Sequence, residues 1–196
     1  VIGKAIEMKR IAIILGHPDA SHERFCYALA EAYKQGAQQG GHECRLIEVG
    51  RLNFSLLRCR SEWEADAEAD IQEAQETLSW AEHWVIIYPL WLGDMPALLK
   101  AFLEQVLRPG FALQYENGWP KSLLKGKSAH LIVTTGMPAL AYRWFYGAHS
   151  LKSLKRNVLQ LCGIQPVRST VIGSIEAKTQ QRSDWLQKIG KIASHQ

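Results

Sequence analysis

The amino-acid sequence predicts a single α/β domain, with a five-stranded parallel sheet of order 2-1-3-4-5 and helices on both faces. Three observations predict it. Apolar runs of strand length alternate with segments of helical periodicity along the whole chain. The runs RIAIILG (10–16) and WVIIY (84–88) are continuously apolar, as strands buried on both faces are. The length of 196 residues suits one domain with one core, and no repeat, low-complexity tract or linker-like stretch divides it.

The elements follow in order. RIAIILG (10–16) reads as the first strand. ERFCYALAEAYKQGAQQ (23–39) places Phe25, Leu29, Ala32 and Tyr33 at helical spacing, and GGH stops that helix. ECRLIEV (43–49) alternates as a second strand. Residues 51–70 are the least regular part and begin as loop. IQEAQETLSWAEH (71–83) is an amphipathic helix leading into the third strand, WVIIY (84–88). MPALLKAFLEQVL (95–107) is a helix with Pro96 in its first turn, where proline is tolerated. Residues 108–127 read as a long loop dense in Gly, Pro and aromatics. SAHLIVTTG (128–136) is the fourth strand, LKSLKRNVLQLCG (151–163) a helix closed by Gly163, QPVRSTVIG (165–173) the fifth strand and TQQRSDWLQKIGKIA (179–193) a terminal helix. Five strands fit the order 2-1-3-4-5 better than a longer dinucleotide fold. The segment VIGKAIE (1–7) precedes Met8, where a natural beginning runs straight into a strand. The domain is therefore expected over 8–196, with 1–7 an extra N-terminal segment.

Composition narrows the function classes. The formal net charge is +4 and the basic residues are scattered, so the concentrated basic face of a nucleic-acid binder is not expected. No apolar segment approaches the roughly 20 residues of a membrane span. The four cysteines form no CxxC pair and no secretion signal opens the chain, which reads as reduced thiols in a cytoplasmic protein. The histidines are as dispersed as the cysteines, so no metal site is expected.

In a sheet of this order, ligands lie outside the carboxyl ends of the strands, where the strand order reverses. Three loops are selected. The first, Gly16–Phe25, leads into the first helix, whose free amides and dipole favour a phosphate. Ser21 offers a cap or a phosphate donor, and His17, His22 and Arg24 offer further donors. An ordinary N-cap needs the same residue types. No Walker-type or G-x-G-x-x-G pattern is present, which disfavours a P-loop NTPase and a typical Rossmann dehydrogenase. The second loop, Pro89 to Met95, is charge-poor and carries Trp91 and Leu92, a surface suited to a flat apolar ligand or, alternatively, to a packed core loop. The third, Thr134-Thr135-Gly136-Met137-Pro138, offers hydroxyl and backbone donors. Tyr142 and His149 follow it, each able to give a proton. The plain alternatives are a packed Tyr142 and a helix-start His149. Trp144, Phe145 and Tyr146 read as core or subunit contacts.

The segments GHPDASHERF (16–25), YPLWLGDMPALLKAFLEQVLRPGFAL (88–113) and TTGMPALAYRWFYGAH (134–149) resemble the flavodoxin-like NAD(P)H:quinone oxidoreductases. That group includes bacterial drug-modulator quinone reductases and the ancillary reductases of potassium efflux. The resemblance runs from Arg10 to about Ile192, and its most specific part is Pro89-x6-Pro96-x3-Lys100 continuing to GFAL. It implies a flavin cofactor, FAD first and FMN close behind, with NAD(P)H as cosubstrate, a quinone-like acceptor and a homodimer. It implies that His17, Ser21, His22, Arg24 and Phe25 hold flavin phosphates. Pro89, Leu90, Trp91 and Leu92 would run along the flavin ring, and Thr134, Thr135 and Gly136 would contact its pyrimidine side. Tyr142 and His149 would be the proton-giving pair, and Tyr115 and Met137 would line the acceptor pocket, Tyr115 reaching it from the second subunit. This chain has Arg24 where the family has Asn, Trp91-Leu92 where it often has Gln-Trp, and Met137 in place of a glycine. A flavin-binding regulatory partner of another protein, such as a transporter, is the alternative. An electron-carrier flavodoxin fits less well, because such carriers are strongly acidic and this sequence has a pI of about 8.9.

Overall fold

The computed structural model describes residues 8–175 and 179–196; the expected extra segment 1–7 lies outside them. Strands β1 (Arg10–Leu15), β2 (Glu43–Glu48) and β3 (His83–Pro89) lie in the central sheet. A small hairpin, β4 (Leu113–Glu116) with β5 (Trp119–Ser122), stands apart from it, and β6 (Ser128–Thr134) and β7 (Val167–Ile172) complete the sheet. The central order is β2-β1-β3-β6-β7 and every pairing is parallel, which is the expected 2-1-3-4-5 arrangement once the hairpin is set aside. The helices are α1 (Phe25–Gln39), α2 (Arg60–Glu64), α3 (Ala69–Trp80), α4 (Ala97–Val106), α5 (His149–Ser153) and α6 (Thr179–Ala193).

The strand alternation splits the core in two. Ile11, Ile13 and Leu15 point with Val85 and Ile87 toward α1 and α6, where they meet Leu29, Tyr33 and Ile189. Ala12, Ile14, Trp84, Ile86 and Tyr88 point the other way, toward Ile71 and Leu78 of α3 and Leu99 and Phe102 of α4. Both central strands are therefore apolar on both faces, the cause of their unbroken hydrophobic runs.

Several elements differ from expectation. Pro96 is the N-cap of α4 rather than a member of its first turn. Residues 108–127 hold the β4–β5 hairpin, turned by Asn117 and Gly118, both with positive φ. That geometry is the two-residue type I′ turn that Asn-Gly favours. The irregular 51–70 stretch contains α2, and the helix expected over 151–163 begins at His149 and widens into π-type turns over Leu154–Leu159. Hydrophobic spacing marks a helical face without fixing its pitch.

Candidate active site at the switch point

The carboxyl ends of β1, β3 and β6 bring the three loops together, and a direct contact ties each pair. The His17 and Trp91 rings meet edge to face at 5.8 Å, joining the first loop to the second. The Leu90 amide donates to the Thr134 carbonyl at 2.7 Å, joining the second to the third. Cys26 Sγ lies 3.5 Å from Thr134 Oγ1, joining the start of α1 to the third loop.

The first loop is built around Asp19. Its carboxylate accepts the Ser21 amide at 2.9 Å and Arg24 Nε at 2.6 Å. Those two hydrogen bonds, the backbone one first, hold its pKa below the ordinary value. His17 Nδ1 lies 3.1 Å from the Asp19 amide and 3.2 Å from the Asp19 carbonyl oxygen, so the neutral ring can accept from the one or donate to the other. Burial also lowers the His17 pKa, which favours that neutral form. Ser21 Oγ accepts the Glu23 amide at 3.4 Å and does not cap α1; the N-cap is Arg24, and no side chain caps the helix. The first-turn amides of Phe25 and Cys26 thus remain as donors, which with Ser21 Oγ and Arg24 is a donor set that fits a phosphate.

The second loop is a tight reversal. Trp91 and Asp94 exchange both backbone hydrogen bonds, at 2.8 and 2.9 Å, around Leu92 and Gly93. Both central residues have positive φ, 48° and 81°. Glycine adopts this region freely, whereas a leucine there is strained by about 1–3 kcal/mol. Leu92 is wholly exposed, at 108% of its reference area, and Trp91 is half-exposed. An apolar side chain held in a strained turn over the crevice is the surface a flat ring requires. Beside it lies a cavity of about 470 Å³, lined by Trp91, Leu92, Met95, Lys100, Ser150 and Leu154 among others. A second, of about 430 Å³, runs on along α4 past Trp63, Leu103 and Leu107, and Lys100 and Val158 belong to both.

In the third loop, Thr134 and Thr135 are buried and Gly136 is exposed. Thr135 Oγ1 accepts the Met137 amide at 3.3 Å, and the Met137 carbonyl accepts the Ser174 amide at 3.1 Å. Gly173 allows this closeness: a Cβ there would stand 2.2 Å from the Ala139 nitrogen. Tyr142 is 1% exposed, and its hydroxyl shares a 2.8 Å hydrogen bond with Ser150 Oγ. His149 is exposed and opens α5, directly after Gly147 and Ala148, both of positive φ. Tyr115 lies on β4, where its aromatic neighbour in the chain is Trp63 at 6.5 Å rather than a residue of the three loops.

Three features escaped the sequence reading. Arg51, just after β2, donates to the Ala20 carbonyl at 3.2 Å and to His22 Nε2 at 2.9 Å. Its contacts lie about thirty residues away, so no local pattern marks it. Ser150 holds Tyr142. Among the described residues the buried Tyr88 hydroxyl has no hydrogen-bond partner, and burial raises its pKa, with Tyr142 and Asp94 as neighbours.

With this geometry in hand, comparison with known proteins identifies the class. Residues 9–193 match the family model described as Flavodoxin-like fold. An NAD(P)H oxidoreductase of Haemophilus influenzae is 31% identical over 168 residues, covering 83% of each chain. An FMN-dependent NADH:quinone oxidoreductase of Listeria innocua is 30% identical over 141 residues, covering 66% of each. The solved NAD(P)H:quinone oxidoreductase of Methanothermobacter marburgensis superposes with a TM-score of 0.80 at 21% identity, over 96% of this chain and 98% of its own. The chain belongs to the flavodoxin-like NAD(P)H:quinone oxidoreductase family, and it is an oxidoreductase. Among the described residues no helix is long and apolar enough to cross a membrane, and no three His, Cys, Asp or Glu side chains gather as a metal site.

Proposed function

We propose that the protein is a flavin-dependent NAD(P)H oxidoreductase that reduces a quinone-like acceptor by two electrons in a ping-pong cycle. The observation that carries this reading is the junction of the three loops, where the His17–Trp91 contact sets an apolar wall beside an uncapped helix terminus. One end suits a phosphate and the other a flat ring. A bound flavin would supply the hydride and electron chemistry. The chain's own residues do the rest. Ser21, Arg24, the Phe25 amide, His17 and His22 hold the phosphate arm. Pro89, Leu90, Trp91 and Leu92 form the ring wall, and Thr134, Thr135 and Gly136 give donors at the polar edge of the ring. Tyr142 and His149 move protons to the acceptor, and Met137 lines its pocket. For Tyr142 this requires its hydroxyl to exchange Ser150 for the ligand.

FAD is the first choice of flavin, with FMN beside it; the FMN dependence of the Listeria relative supports the second. A homodimer is part of the proposal. The exposed Tyr115, Trp119, Trp144 and Phe145 are large apolar groups that a second copy would cover, with Tyr115 closing the partner's pocket. A cytoplasmic location accompanies it. An absorbance scan of the purified protein tests the reading: flavin bands are expected, and neither retained nor added FAD or FMN binding would end it. Turnover of menadione with NADH or NADPH separates an enzyme from a regulatory flavoprotein. Chromatography of the released cofactor identifies the flavin.

A further inference from the structure

We propose that Arg51 is the second basic arm of the phosphate site, a positioning residue that holds the first loop in its anion-receiving shape; this rests on the flavin reading above. The turn Val49–Arg51 follows β2, which flanks β1 on the side away from β3, and it is pressed onto the first loop. Gly50 makes the approach close enough, since a Cβ on it would stand 2.7 Å from the Pro18 carbonyl oxygen and 2.9 Å from that of His17. Any other residue at 50 would push the turn and Arg51 away from the loop.

The guanidinium then works as a fork. Nε donates to Glu48 at 2.8 Å, which fixes the plane of the group. Nη2 donates to the Ala20 carbonyl and to His22 Nε2. Because a guanidinium only donates, His22 Nε2 must accept, and the neutral His22 proton sits on Nδ1. Arg24 turns the other way, committing Nε and Nη2 to the single carboxylate of Asp19. Of the two cations beside the loop, Arg51 is thus the one that ties the loop to the end of β2. A lysine would keep the charge but could not hold Glu48, Ala20 and His22 in one plane.

The phosphate arm is separable from the ring end by choice of ligand. Riboflavin carries the ring without phosphate, and FMN adds the phosphate. In Arg51→Gln, FMN and FAD affinity measured by fluorescence quenching should fall about 10- to 100-fold, as for a lost charge-assisted contact. Riboflavin affinity should stay within twofold of wild type. Arg51→Lys should recover part of the FMN affinity, chiefly at low salt. The inference is overturned if Arg51→Gln binds FMN as wild type does, or if riboflavin weakens by the same factor, which marks general damage. Wild type that binds no flavin removes the flavin reading and this inference together. Wild type that binds flavin, with an indifferent Arg51→Gln, overturns the inference alone.

Discussion

Leu92 sits where a glycine would be at ease, and at this position side-chain chemistry and backbone preference oppose one another. Leu92→Gly should raise stability in urea melts by about 0.5–1 kcal/mol, the αL relief of about 1–2 kcal/mol less the entropy glycine brings. The same change should weaken flavin binding, because the wall loses its side chain. Gain of both stability and affinity would contradict the assigned role. Tyr142 stands at the opposite extreme, buried and satisfied by Ser150. Tyr142→Phe should lower kcat about 10²-fold or more with flavin affinity retained, as loss of a proton donor does; unchanged turnover would remove Tyr142 from the chemistry. The positions of Trp91 and Thr134 beside strand ends were legible in the sequence. Arg51 and Ser150 were not, because their meaning depends on partners far away or on which way one hydroxyl turns.

At the scale of elements, α1 and α6 meet backbone to backbone. A Cβ on Gly36 would fall 2.1 Å from the Gly190 carbonyl oxygen. Helix propensity alone credits Gly→Ala with about 1 kcal/mol of stabilisation. Overpacking costs about 1–3 kcal/mol or more and acts against it. Gly36→Ala should therefore destabilise, seen as a lower Tm, and a raised Tm would show that the helices can part freely. The sequence marked each helix but not which glycine faced which, since that needs the packing of two elements 150 residues apart. The hairpin was legible in principle: Asn117-Gly118 between alternating residues is a strong local turn signal. Its proline, Pro120, and the surrounding aromatics masked it as loop. The buried Arg108 explains why the irregular 51–70 stretch is ordered. It donates to the carbonyls of Glu62 and Ala65, at 2.9 and 2.7 Å, pinning the end of α2 to α4.

On the scale of the whole molecule, the end of the sheet remote from the site gathers three buried histidines. His83 shares a 2.7 Å hydrogen bond with Ser128 and contacts Gln196, which also reaches Tyr33; His130 bonds Thr170. Burial, with His130, Lys9 and Arg168 nearby, pushes His83 down to about 3; burial, with Arg168 nearby, pushes His130 down to about 4, and burial lowers His42 as well. The unfolded chain binds these protons near pH 6.5, so it takes up more protons than the fold as pH falls. The stabilisation is therefore complete above about pH 6.5 and declines steadily from there toward pH 4. Urea midpoints at pH 7.5 and 5 should differ by an amount that His83→Gln reduces; equal midpoints would show the histidines already charged in the fold. Sheet order and the three loops were legible because buried strands and switch points follow from pattern and topology. This histidine cluster was not, because its members come from separate strands and loops. The same topology governs the crevice. The Cys26–Thr134 contact spans 108 residues of chain, so the loops converge only after β6 has docked beside β3. A ligand gripped by all three loops therefore ties the first quarter of the chain to its last third. Its binding free energy becomes a brace on the entire domain rather than on any one loop.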